Sequence, residues 1–376
     1  MKKIFLLISV VLLFATGCGK VTKEDVINKL EKKVNSSSYV LKGTMQILSN
    51  EEKFDYGITV NSHDKKYYKV ALVNQTNNHE QVILKNDDGV YVVTPALNKS
   101  FKFQSEWPNN SSQAYILESI IKDLKSDTNS KFEETKDGYE LRSTVNYPNN
   151  SDLSYQKVIV DNDLNIKEIE VYDINDSVKI SVIVDNLNYK AKLDKNDFLL
   201  EDLIVEDVCE NESCDNKNTN LEENNKNDTT EEEITNNNDN NVKDNENNLN
   251  ENKETSESSN AIDDIIYPLY VPSNTYLTSS EKIDLEDGNR VILTFSGDKD
   301  FVLVEETSKV SNEFEIIPIY GDPQVISTSV AAVGANSIYF TIDNIDYYIA
   351  SSEMSSEEML NVASSLGNSI LVMESK

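Results

Sequence analysis

Alternation dominates the first half of the chain. Phe54, Tyr56, Ile58 and Val60 fall at every second position, which puts them on one face of a strand and the intervening residues on the other. Strand-like runs cover Tyr39–Leu48, Phe54–Asn61, Tyr67–Val73, Val82–Lys85, Val90–Thr94 and Ser100–Gln104. They resume at Lys131–Thr135, Tyr139–Val145, Tyr155–Val160, Ile166–Tyr172 and Val178–Val184. About eleven strands at hairpin spacing predict an antiparallel meander, not βαβ units. Asn86-Asp87-Asp88-Gly89, Lys136-Asp137-Gly138 and Asp161-Asn162-Asp163 supply the turns between them.

The period becomes helical twice. Thr22 caps a helix to about Val34, with Asp25 at the capping-box position and Val26, Ile27, Leu30 and Val34 as its apolar face. After Trp107-Pro108, residues Tyr115, Ile116, Ile120, Ile121 and Leu124 form a second stripe, which Ser111 or Ser112 can cap. A meander this long must curl to manage its edges. The expected fold is mainly β: a curved antiparallel sheet of about eleven strands with a helix laid against its concave side. Partial cover by two helices leaves an apolar cavity, a ligand site by default. Phe101, Phe103 and Trp107, with Tyr115, Ile116, Ile120 and Leu124 of the lid, are its candidate lining; ordinary core is an equally good reading of each.

From 206 to 260 the pattern vanishes into Asn, Glu, Asp, Ser, Thr and Lys. Such a stretch cannot bury enough surface to offset chain entropy, so a disordered acidic linker between independently mobile domains is expected. Cys209 and Cys214 at its start could close a short disulfide loop or remain two free thiols. Residues 261–376 read as a smaller α+β domain. Its strands are Arg290–Phe295, Phe301–Glu305, Phe314–Ile319, Ser327–Val333, Ile338–Ile342 and Tyr347–Ala350. A helix opened by Ser355-Ser356-Glu357-Glu358 and ended by Gly367 follows, then a closing strand Ile370–Met373.

Two features outside the strands bear on place. Formal net charge is −31, which disfavours nucleic acid and anionic lipid headgroups as partners. At the start, Lys2 and Lys3 precede the apolar run Ile4–Phe14, with the parts of a secretory signal over residues 1–17. The run is too short for a comfortable membrane span of about 20 residues. Ala15-Thr16-Gly17-Cys18 resembles the bacterial lipobox, which implies acyl chains such as palmitate on Cys18 and a first domain of residues 18–205 at the outer face of the cell membrane.

The run from Gln81 to Leu124 carries a more specific resemblance. Its Asn-Asp-Asp-Gly turn, Thr94-Pro95-Ala96-Leu97-Asn98-Lys99 and Phe103-Gln104-Ser105-Glu106-Trp107-Pro108 are similar to the YdcC-type sporulation lipoproteins, within the LolA-like lipoprotein-carrier group. The resemblance covers roughly Thr22 to Leu200. It implies a half-barrel with a helical lid whose interior, in carrier relatives, shelters the acyl chains of a passenger lipoprotein. Cys18 departs from a freely diffusing carrier, so a tethered binder or a scaffold fits better. The last domain resembles one often appended to Firmicute lipoproteins and some anti-sigma factors.

Candidate chemistry adds little. His63 and His79 read as surface polar residues with no nucleophile in a recognisable motif, so no catalytic triad is expected. Asp161-x-Asp163-x-Asn165 begins like a calcium loop, but Ile166 stands where the turn needs Gly and Tyr172 where a bidentate Glu belongs. No metal and no cofactor are expected. The sequence therefore points to a non-enzymatic, membrane-anchored sporulation lipoprotein that binds acyl chains or lipoproteins. The alternative is a scaffold for a cell-wall enzyme or regulator.

Overall fold

The computed structural model describes residues 21–35, 38–49, 52–204, 262, 264–286, 288–309 and 314–374, with side chains to 366. Cys18, Cys209 and Cys214, and the expected linker, lie outside the described residues.

Helix α1 (Lys23–Val34) begins at the expected capping box, in which Thr22 and Asp25 satisfy each other's backbone N–H groups. Six strands follow as a meander: β1 (Ser38–Ser49), β2 (Glu52–His63), β3 (Tyr67–Asn74), β4 (Glu80–Asn86), β5 (Gly89–Thr94) and β6 (Lys99–Phe103). Helix α2 (Leu117–Ser126) interrupts them. Its expected serine cap is not what forms: Ile116 is the N-cap, and Ser112 instead donates to Asp123 within the helix at 2.7 Å. The return meander is β7 (Lys131–Glu134), β8 (Gly138–Thr144), β9 (Leu153–Asp161), β10 (Ile166–Asp173) and β11 (Val178–Asn188).

The two meanders join where β1 pairs antiparallel with β11. There the register shifts between Lys42 and Gly43, and a Cβ on Gly43 would lie 2.0 Å from the Ile183 carbonyl oxygen. Only glycine permits that approach. The result is one open, curled sheet, not a closed barrel. Over it lie α1 and α2, and Val26, Ile27, Leu30, Ile120 and Leu124 share one core cluster with the strand residues.

The C-terminal segment forms a second, seven-stranded sheet ordered β12-β13-β14-β19-β18-β17-β16. Its strands are β12 (Thr275–Leu285), β13 (Gly288–Gly297), β14 (Phe301–Thr307), β16 (Asp322–Val325), β17 (Val330–Val333), β18 (Ser337–Ile342) and β19 (Ile345–Ala350). Helix α3 (Ser356–Glu374) packs through Met359, Leu360, Val362, Ala363 and Leu366. It runs through Gly367, so the expected closing strand at Ile370–Met373 does not form. One glycine inside a helix costs about 1 kcal/mol relative to alanine and does not by itself end it.

The two folded segments were expected as separate domains. The segments flanking residues 206–259 form one compact unit. Strand β15 (Glu315–Ile319) leaves the C-terminal sheet and pairs parallel with β6, as the twelfth strand of the first sheet. Tyr56 donates to the Ile326 and Ser327 carbonyls at 3.2 and 3.0 Å, and Gln81 accepts from Val330 N–H at 2.7 Å. Lys99 and Asp346 form an ion pair at 2.6 Å between the sheets.

Two buried carboxyls set a pH dependence. Burial pushes Asp123 up to about 6 and Glu305 up to about 7, from ordinary values of 3.8 and 4.5. Each binds its proton more tightly folded than unfolded, so its stabilising contribution is complete at acid pH below the ordinary value. That contribution is lost as pH rises through the folded value. Thermal stability should therefore rise as pH falls from about 8 to about 5. Asp123→Asn combined with Glu305→Gln should flatten the profile. A melting temperature that falls over that range would contradict both assignments.

Candidate functional site

The seven candidate lining residues come together, but as core. Phe101, Phe103, Trp107, Tyr115, Ile116, Ile120 and Leu124 are all buried in one cluster, with Val330 and Ala332 of the C-terminal segment among them. Phe101 packs against Tyr339 at a ring-centroid distance of 4.7 Å. These side chains are thus part of the core, and that core takes in residues from more than 200 positions downstream.

The open cleft lies elsewhere, at the end of the β1–β11 seam, with a volume of about 300 Å³. Of the seven candidates only Tyr115 lines it. Met45 and Ile47 of β1, Ile180 of β11, Leu153, Val325 and Ile326 supply apolar surface; Met45 is buried in the core cluster, and Ile47, Ile180 and Val325 pack against it. Asn110, Gln113, Asn150, Gln324 and Asn361 supply amides, Asp152, Lys179, Asp322 and Glu357 supply charges, and Leu360 comes from α3. The wall is braced by Ser151, whose hydroxyl donates to Glu357 of α3 at 2.8 Å, and by Ser105, which donates to Asp322. Asn110 and Ser327 are lining residues, although Asn110 Oδ1 and Ser327 Oγ are themselves buried. The cleft is at the low end of ligand-site volumes, roughly 300–1,000 Å³. It joins apolar surface continuous with the core to amide and charged side chains.

Sequence reasoning missed this cleft because its lining comes from β1, β11, two loops and the far C-terminal segment. No local period marks such a set. Helix α2 is fixed nearby by its own acids. Glu118 accepts from Tyr39 at 2.8 Å and Ser62 at 2.9 Å, and burial raises it; Asp123 accepts from Ser112 and from Gln156 at 3.3 Å.

His63 is more enclosed than a surface residue. Its ring stacks near Phe198 at 6.3 Å, Nδ1 lies 2.7 Å from Ser38 Oγ, and Nε2 lies 3.4 Å from Asp64. Ser38 is 3% exposed, is the direct cross-strand neighbour of His63, and is not among the residues that line the seam cleft described above. His79 is half-buried, and that burial lowers it. The Asp161–Asn165 segment is a turn, as expected. Asp161 accepts from the backbone N–H groups of Asp163 and Asn165, and the Lys33 ammonium donates to the Asp163 and Leu164 carbonyls. Among the described residues no cluster of His, Cys, Asp or Glu has the arrangement of a metal site.

Residues 1–198 match a family described as sporulation protein YdcC-like. The sporulation protein YdcC of Bacillus subtilis (strain 168) is 28% identical over 356 residues, covering 94% of this chain and 93% of the relative. Among solved structures, the MucA/MucB complex of Pseudomonas aeruginosa aligns over 91% of this chain and 97% of that one, at 10% identity and TM-score 0.30. The LolA superfamily protein NE2245 from Nitrosomonas europaea aligns over 48% and 99%, at 11% identity and TM-score 0.29. The CwlD amidase of Clostridioides difficile in complex with the GerS lipoprotein aligns over 46% and 100%, at 19% identity and TM-score 0.28.

Proposed function

The chain belongs to the YdcC-like sporulation protein family, and from that premise we propose that it is a non-enzymatic envelope lipoprotein of spore formation that takes an acyl chain into the seam cleft. The observation that supports this reading is the cleft's composition. Apolar surface from Met45, Ile47, Ile180 and Leu360 suits a hydrocarbon tail, and the amides suit the polar group to which the tail is joined. Each methylene transferred from water into such a site contributes about 0.8 kcal/mol. The lipobox-like Ala15-Thr16-Gly17-Cys18 supports tethering at the outer face of the membrane.

Purified protein freed of membrane lipid should bind a fluorescent fatty acid. Leu360→Trp, which fills the cleft from α3, should weaken that binding by roughly tenfold, because several methylenes lose their place. Unchanged binding by the tryptophan variant, or none by the parent protein, would remove the cleft from consideration. A second reading, a scaffold for an envelope or cell-wall protein, is favoured by the burial of all seven candidate lining residues in the core. Recovery of a stoichiometric protein partner with no bound lipid supports it over the first.

A further inference from the structure

The two sheets have four outer edges among the described strands, and three of them are blunt. Strand β7 is four residues long and carries Lys131, Glu133 and Glu134; β15 contains Pro318; β16 is four residues long and contains Pro323. Short length, charge and proline are how sheets discourage further pairing. Strand β12 has none of the same economy. It is eleven residues long, has no proline, and hydrogen-bonds on one side only, to β13. Neither of its faces is packed: Tyr276–Thr278 and Ser280–Asp284 are exposed.

Beyond the irregularity between Leu277 and Ser279, the register from Ser279 to Leu285 is unbroken. Tyr276 is 67% exposed, and Leu277 and Ile283 are each 41% exposed. The one lysine on the strand, Lys282, directs its ammonium to the Ile262 carbonyl at 2.9 Å. Against that single lysine, Glu281, Asp284 and the adjoining Glu286 make the exposed charge along the edge predominantly acidic.

We propose that β12 receives an extended, basic segment of a partner protein as an eighth strand of the C-terminal sheet. Main-chain hydrogen bonds to a free edge provide affinity, and alternate side chains provide selection. Lysines or arginines on the added strand meet Glu281, Asp284 and Glu286, while its apolar residues cover Tyr276, Leu277 and Ile283. A second copy of this chain would set the same carboxylates against each other, and an anionic lipid surface would meet a chain of net charge −31. Both alternatives are opposed by charge. No β12 residue lines the seam cleft, so this surface is independent of the acyl-chain reading.

The test uses the full chain and a synthetic peptide of about 12 residues that places lysines on both faces of an extended strand among valine and threonine. Hydrogen exchange should slow at residues 279–285 when the peptide is added. A peptide with glutamate in place of lysine should bind roughly tenfold more weakly or worse. Glu281→Lys with Asp284→Lys should invert that preference. The proposal is overturned if neither peptide protects 279–285, or if the charge-reversed protein keeps the original preference. It is equally overturned if protection arises from raising the protein concentration alone, or only with anionic vesicles.

Discussion

Replacing Lys99 with methionine is expected to cost about 3–5 kcal/mol of stability, read as a lower denaturation midpoint. The Lys99–Asp346 pair is enclosed, with side chains 8% and 14% exposed. Asp346 also accepts from Thr341 at 2.6 Å, and Lys99 donates to the Tyr339 hydroxyl at 3.1 Å. Removing the ammonium leaves a carboxylate without its counter-charge in a place that water reaches poorly. Asp346→Asn strands the lysine in the same way and should cost a similar amount. The double variant Lys99→Met with Asp346→Leu removes both charges, and much of the loss should return, since a buried pair is often nearly neutral against well-packed apolar replacements. A single-variant loss below about 1 kcal/mol would mean that the pair is solvated like a surface one. The site lies between β6 and β19, so the single variants should also make the C-terminal sheet more sensitive to protease.

Gly43→Ala is expected to destabilise the protein by roughly 3 kcal/mol, because the added methyl meets backbone and not a flexible side chain. The Ile183 oxygen at 2.0 Å and the Val184 Cα at 3.3 Å cannot both retreat without opening the β1–β11 seam. That seam is the only pairing between the two meanders among the described residues, and Met45, Ile47 and Ile180 of the cleft lie just along it. The variant should therefore lose stability and fatty-acid binding together, measured by chemical denaturation and probe titration. Gly57→Ala is the control, one strand away: its nearest neighbour would be 3.9 Å off, an ordinary contact. Equal effects at the two glycines would show that the seam has no special tightness.

Much of the first sheet was legible because hairpin pairing is local. The Asn86–Gly89 turn and the alternation in β2 need only neighbouring residues to be read, and both form as expected. Helix α1 likewise announces itself through Thr22 and Asp25. Strand β12 was not read, since Thr275–Leu285 has no period of two and is a strand only because β13 pairs with it. Strand β15 was read as a strand, but its partner β6 lies more than 200 residues earlier. A local pattern tells that a segment is extended, not which sheet claims it. The candidate lining residues illustrate the same limit. Their spacing indicated burial correctly, whereas what Phe101 is buried against, Tyr339, depends on a distant segment.

The parallel pairing of β15 with β6 has a consequence for how the chain is made. Roughly 210 residues separate the two strands, and at synthesis rates of about 5–20 residues per second they take about 10–40 s to appear. Throughout that interval the Lys99–Phe103 strand has no neighbour on its outer side. A newly made N-terminal portion therefore passes through a period of exposure to other chains that ends when residue 319 arrives, and crowding of nascent copies is most hazardous in that interval.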